Sequence, residues 1–225
     1  MTRMTNARVA GFTFLFYIAV GITAMVVSGK AMQGPDLASK LTSISQHASQ
    51  VQLAAMLNLL TCFCALVLGV TLYALTRDED PDLAMLGLTC RVAEGVVGGV
   101  AIQGSLGLVW LATAAEAQAQ SQDSVRAISA FFLWGQGWSP TIAGAFFGVG
   151  SALFSWLLLR GRMIPAALAW LGVLASVVVV VGLLLKLGGV DVSGLIWLPM
   201  AAFEIPLALW LLIKGVATQR PPARV

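Results

Sequence analysis

Six apolar runs, each close to or above the roughly 20 residues that cross a hydrocarbon core, leave this chain little choice of fold. They are Val9–Val27, Val51–Thr76, Leu83–Leu111, Thr141–Leu159, Pro165–Leu187 and Gly194–Ile213. A backbone surrounded by lipid has to satisfy its polar groups within its own segment, so each run is expected to be a helix. Only 10% of the 225 residues are charged and 59% are hydrophobic, whereas soluble domains average about 25% charged. The sequence therefore predicts an all-α membrane protein, a six-transmembrane-helix bundle that takes up residues 1–225 as one polytopic domain.

The residues between the runs support these boundaries. Asp80 is a good N-cap, and Pro81 sits at the first helical position of the third span. Pro140 and Pro165 open the fourth and fifth spans in the same way, and Gly188-Gly189 closes the fifth. Arg3 and Arg8 before the first run have the flank of a secretory signal. The run is longer than the roughly 7–15 residues of a signal's apolar region, and no clean small-x-small site follows, so a retained first span is expected.

Two connecting loops are long. In Ser28–Gln50, the polar stretch Ser39–Gln50 reads as a short surface helix. In Ala112–Ser139, Val125, Ile128, Phe131 and Phe132 share one apolar helical face within Ser124–Trp138. That stretch is expected to be an interfacial helix lying on the outer leaflet before the fourth span, ended by Gly135, Gln136 and Gly137.

Orientation follows the distribution of Lys and Arg. With a cytoplasmic N-terminus, the inside ends hold Arg3, Arg8, Arg77, Arg160, Arg162, Lys214, Arg220 and Arg224. The outside loops hold only Lys30, Lys40, Arg126 and Lys186. Both termini are expected inside. Trp110, Trp134, Trp138 and Trp197 then fall near the outer boundary, and Trp156 and Trp210 near the inner one.

Composition also excludes several functions. His47 is the only histidine, so a His-rich zinc site is ruled out. Cys62 and Cys64 are two apart on a helix and cannot share a face. With Cys90 they read as small apolar residues. No basic patch interleaved with aromatics points to nucleic acid. No nucleophile–base pair, phosphate loop or metal set is present, so no cofactor is expected and the balance leans away from an enzyme.

Three charged residues break the apolar pattern. Arg91 and Glu94 lie in the third span, and Glu204 lies in the sixth between Pro199 and Pro206. Charges at bilayer depth are costly, and they face a protein interior where they pair or serve a function. At roughly 1.5 Å per residue, Arg91 lies about 13 Å, Glu94 about 18 Å and Glu204 about 15 Å from the cytoplasmic ends of their spans. One Arg and two Glu therefore meet at one level. Tyr17 on the first span reaches a similar depth, as do Ser151 and Ser176. With both carboxyls ionised the cluster would carry net negative charge in a low dielectric, so the least costly state holds a proton on one of them. Arg91, Glu94, Glu204 and Tyr17 form the candidate ligand or proton site. The competing expectation is a static tie that fixes helix register.

Small residues flank these charges. Gly95 and Gly98 lie beside them, and Gly95-x-x-x-Gly99 is a close-packing pattern, as is Gly144-x-x-x-Gly148. Pro199 and Pro206 would free the carbonyls of Leu195 and Ala202. Asn58 and Gln103 are expected to bond neighbouring helices.

The chain resembles a family of bacterial integral membrane proteins called domain of unknown function 4386. The resemblance rests on Ala7-Arg8-Val9-Ala10-Gly11 with Tyr17 and Gly21, on Cys90-Arg91-Val92-Ala93-Glu94, and on Phe146-Phe147-Gly148 with Leu159-Arg160 and Ile164-Pro165. The closing segment, Glu204 with Leu207-Ala208-Leu209-Trp210-Leu211-Leu212-Ile213-Lys214-Gly215, is the most specific part. The inner loop Arg160-Gly161-Arg162-Met163 departs from the family pattern, which has a Ser there. The resemblance implies six spans in a bacterial inner membrane and points to Arg91, Glu94 and Glu204. It brings no activity, substrate or cofactor.

The expected function is binding or transport of a small molecule or lipid at the charged centre, with the lipid bilayer as the standing partner. The rivals are a lipid-modifying membrane enzyme and a structural or regulatory subunit. Each half of the chain carries three spans and a mid-depth Glu, the pattern of an inverted repeat.

Overall fold

With every backbone donor and acceptor paired locally, long apolar runs become long helices. The computed structural model describes residues 2–117 and 122–217. It contains α1 (Arg3–Ala31), α2 (Leu37–Gln46), α3 (Ala48–Thr76), α4 (Pro81–Ala117), α5 (Gln122–Arg160) and α6 (Ala166–Leu187). A 3₁₀ helix, Gly194–Trp197, leads into α7 (Leu198–Ile213). Among the described residues, six helical segments are long and apolar enough to cross a membrane, and α2 is not one of them. Large apolar side chains such as Phe12, Met25, Val70, Leu174 and Ile213 are exposed. A water-facing surface of this kind would be unstable, whereas lipid solvates it. The chain is a multi-pass helical membrane protein.

The helix starts follow the sequence signals. Asp80 Oδ1 accepts a hydrogen bond from the Leu83 amide at 3.1 Å. Pro165 precedes α6. Asp36 caps α2, its Oδ1 accepting from the Ser39 amide at 2.7 Å. The hydrogen bonds from the Ser39 side chain and amide hold the Asp36 carboxyl below the usual carboxylate range. The short helix expected within Ser39–Gln50 is present as α2, which starts two residues earlier and ends four earlier, Ala48–Gln50 belonging to α3.

Three expectations need correction. The helix expected to lie separately on the outer leaflet, over Ser124–Trp138, is instead the first half of α5, which runs without a break through Pro140. Proline removes one intrahelical bond, and a membrane helix tolerates this when nearby groups compensate. The Thr141 hydroxyl donates to the Gly137 carbonyl at 3.0 Å, beside the gap. The predicted apolar face is split, with Val125 buried and Ile128 and Phe131 exposed.

Pro199 does not interrupt a helix, because it lies in the first turn of α7, where its missing N–H costs nothing. The Leu195 carbonyl accepts from the Leu198 amide instead. Only Pro206 is interior to α7. Finally, a Cβ on Gly99 would meet nothing within 4 Å, so this glycine is not part of a packing seam. Arg220 and Arg224, counted at the inside end, lie outside the described residues, as do residues 118–121 of the second long loop.

The chain divides into two compact units, Met1–Phe16 with Cys64–Glu94 and Gly144–Val225, and Tyr17–Phe63 with Gly95–Ala143. These units do not follow the two sequence halves. In the second unit, Ala31, Ile44, Val51, Leu108, Val109 and Ala112 form a buried cluster with Phe132 packed against it. Ser43 of α2 donates its hydroxyl to the last carbonyl of α1, that of Ala31, at 3.0 Å.

The first unit is drawn together by glycines. A Cβ on Gly11 would lie 2.6 Å from the Ala208 carbonyl oxygen and 2.8 Å from the Leu212 nitrogen, so α1 touches the backbone of α7. Gly144 and Gly148 of α5 lie against Leu183 and Val180 of α6, an internal seam. Gly172 of α6 faces the Phe203 ring and the Ser155 hydroxyl at 2.5 Å from where its Cβ would be. Gly215, at φ +71°, ends the last helix with its amide donating to the Trp210 carbonyl at 3.1 Å. At one end of this unit Arg160 pairs with Asp80 at 3.3 Å and Arg3 with Asp78 at 3.8 Å. These pairs are partly exposed and contribute little each.

Candidate functional site

Arg91 is placed by the helix that carries it. Three residues on along α4, Glu94 presents its carboxylate on the same side, and Arg91 Nη1 lies 2.9 Å from Glu94 Oε2. The pair is almost fully buried, Arg91 at 2% and Glu94 at 6% exposure. Because both residues belong to one helix, this contact fixes the guanidinium's direction and does not by itself set a register between helices.

Neighbouring helices close over the pair where they lack side chains. A Cβ on Gly69 of α3 would be 3.0 Å from the Arg91 Cβ, and one on Gly150 of α5 would be 3.5 Å from the Arg91 Cδ. The guanidinium carbon sits 5.0 Å from the centre of the buried Phe147 ring, a cation–π contact that is strongest when water is excluded.

Glu204 comes to the same place from α7. It is 5% exposed, and its Oε1 has no hydrogen-bond partner among the described residues. Arg91 and Glu204 line one small cavity with Phe14, Ser151, Ser155 and Phe203. Its volume is about 10 Å³, the minimum for a single water molecule. A buried carboxyl oxygen without a partner is expensive, and a water or one terminal polar group of a larger molecule would satisfy it.

Of the four predicted site residues, Arg91, Glu94 and Glu204 therefore fall in one compact unit. Arg91 and Glu204 share a cavity, and Glu94 pairs with Arg91. Tyr17 is half-buried and belongs to the other unit. Ser151 lines the cavity, but Ser176 does not, and its hydroxyl donates to the Gly172 carbonyl at 2.6 Å. Gly98 packs on the Cys62 sulfur, 3.1 Å from where its Cβ would be, within the second unit.

Sequence reasoning missed several residues of the site. Phe147, Phe154 and Leu158 lie with the already noted Ser151 at the i, i+4, i+7, i+11 spacing of a single helix face, so they could have been grouped with it by period. Phe203 adjoins Glu204 in sequence, and nothing local marked it as a wall of the cavity. Gly69 and Gly150 carry no signal, since their role depends on which helix lies opposite.

Comparison with known proteins adds a family and no more. No curated protein and no solved structure matches the chain. The model of the family described as a domain of unknown function (DUF4386) matches residues 9–215, and the chain belongs to that family.

Proposed function

We propose that this membrane protein binds or moves a small molecule or a lipid, and that Arg91, Glu94 and Glu204 form the centre where a proton or a polar end group is exchanged. The observation that carries this reading is the buried Glu204 carboxyl, whose Oε1 lacks a hydrogen-bond partner among the described residues, beside a cavity with room for one water. Buried carboxyl oxygens are normally hydrogen-bonded by protein or by ordered water, so this one has room for a water, a proton or a ligand's polar group. Arg91, held by Glu94 and stacked on Phe147, supplies fixed positive charge that Glu204 can answer with or without its proton.

The membrane proposed is the bacterial inner membrane, with both termini in the cytoplasm. The excess of Lys and Arg at that end supports the orientation, and the family resemblance supports the bacterial membrane.

Native mass spectrometry of the gently solubilised protein tests the ligand. Wild type is expected to carry a discrete adduct that Glu204→Gln lacks. Two equally folded proteins that both fly bare would contradict a ligand at this centre.

A further inference from the structure

The second unit contains a cavity that the charged centre does not involve. It has a volume of about 180 Å³, and Asn58, Thr61 and Cys62 of α3, Ser105 of α4, and Gln136 and Ser139 of α5 line it. Asn58, Thr61, Ser105, Gln136 and Ser139 bring uncharged polar side chains into helices of membrane-spanning length, where such groups need hydrogen-bond partners, and the Thr61 hydroxyl donates to the Asn58 backbone carbonyl at 2.7 Å. Gln136 Nε2 donates to the Ser105 hydroxyl at 2.7 Å, and the amide retains a second N–H and a carbonyl oxygen. Pro140, also in the wall, has no N–H, so the Gln136 backbone carbonyl loses its helical donor. The cavity is thus rich in uncharged hydrogen-bonding groups, and no charged residue among those described lines it.

A second, larger space shares part of its wall. This groove, of about 410 Å³, has Ala101, Gln136 and Ser139 in common with the polar cavity. Apart from Gln103, its other walls are apolar or glycine and include Val100, Phe131, Phe132, Trp134, Trp138 and Ile142. Phe131 and Trp134 are largely exposed, with ring centres 6.3 Å apart. No charged residue among those described lines the groove either. One end of the combined space forms hydrogen bonds without charge, and the other matches a hydrocarbon chain.

We infer that this unit binds a single-chain amphiphile with an uncharged, hydroxyl-bearing head, the head among Asn58, Ser105 and Gln136 and the chain along Phe131, Trp134 and Ile142. An anionic or cationic head would be buried without a counter-charge, a cost the lining cannot offset. An apolar cavity of about 150 Å³ takes a benzene-sized molecule, so a head of glycerol size suits the polar cavity. This inference does not depend on the reading of Glu204.

The probes are a monoacylglycerol and a fatty acid with the same photoreactive, clickable chain, added to the full-length protein in detergent. The monoacylglycerol is expected to crosslink within residues 100–104 and 131–142, to be displaced by unlabelled monoacylglycerol, and to label about tenfold more than the fatty acid, the discrimination of roughly one or two hydrogen bonds. Gln136→Leu should lower labelling by a similar factor. Asn58→Leu, on a different helix, should do the same, which guards against a folding defect at one position. Equal labelling by both probes, crosslinks mapping elsewhere, or undiminished labelling in both folded variants would overturn the inference.

Discussion

Replacing Arg91 with leucine is expected to destabilise the protein by about 3–5 kcal/mol, the usual cost of removing one partner from a buried ion pair. Glu94 would keep its place in the interior, at 6% exposure, without the guanidinium that lies 2.9 Å from it. The Phe147 ring would also lose its cation. Adding Glu94→Gln to Arg91→Leu should restore part of the loss, because the stranded charge is then gone. Unfolding midpoints of the two variants and the wild type in detergent check this. A single variant as stable as wild type would mean that the pair is solvated, not buried.

The second large effect requires only one methyl group. Gly11→Ala would place a Cβ 2.6 Å from the Ala208 oxygen and 2.8 Å from the Leu212 nitrogen. Both are backbone atoms, so relief requires α1 and α7 to separate along their contact. A loss of about 1–3 kcal/mol is expected, the range for overpacking. Gly99→Ala is the control, since its Cβ would meet nothing within 4 Å. There the gain in helix propensity should leave stability unchanged or raise it by up to about 1 kcal/mol. The different outcomes of two chemically identical substitutions, a loss at Gly11 and none at Gly99, can be read from the same melting experiment.

These two glycines also show what a sequence can reveal about such a protein. Span positions were legible because lipid imposes a single rule on every residue, and α3, α4 and α6 begin within three residues of their apolar runs. Arg91, Glu94 and Glu204 were legible because charge in an apolar run has few uses. The partners of glycines were not legible. Gly99 belonged to a recognised Gly-x-x-x-Gly motif and packs on nothing, while Gly11, outside any Gly-x-x-x-Gly pair, touches a neighbouring backbone. A motif records that a helix has a smooth face, but not which helix uses it. Pro140 misled for a related reason. Local rules place a helix boundary there, but the helix continues, with the Thr141 hydroxyl on the Gly137 carbonyl beside the missing bond.

Proton exchange at the buried Glu204 can be observed directly by infrared difference spectroscopy of the reconstituted protein through a pH titration. A protonated-carboxyl stretch that appears and disappears with pH in wild type, and is missing from Glu204→Gln while other carboxyl bands persist, is the predicted result. A carboxyl spectrum identical in wild type and a folded Glu204→Gln variant at every pH would contradict proton exchange there and leave Glu204 as a fixed structural group.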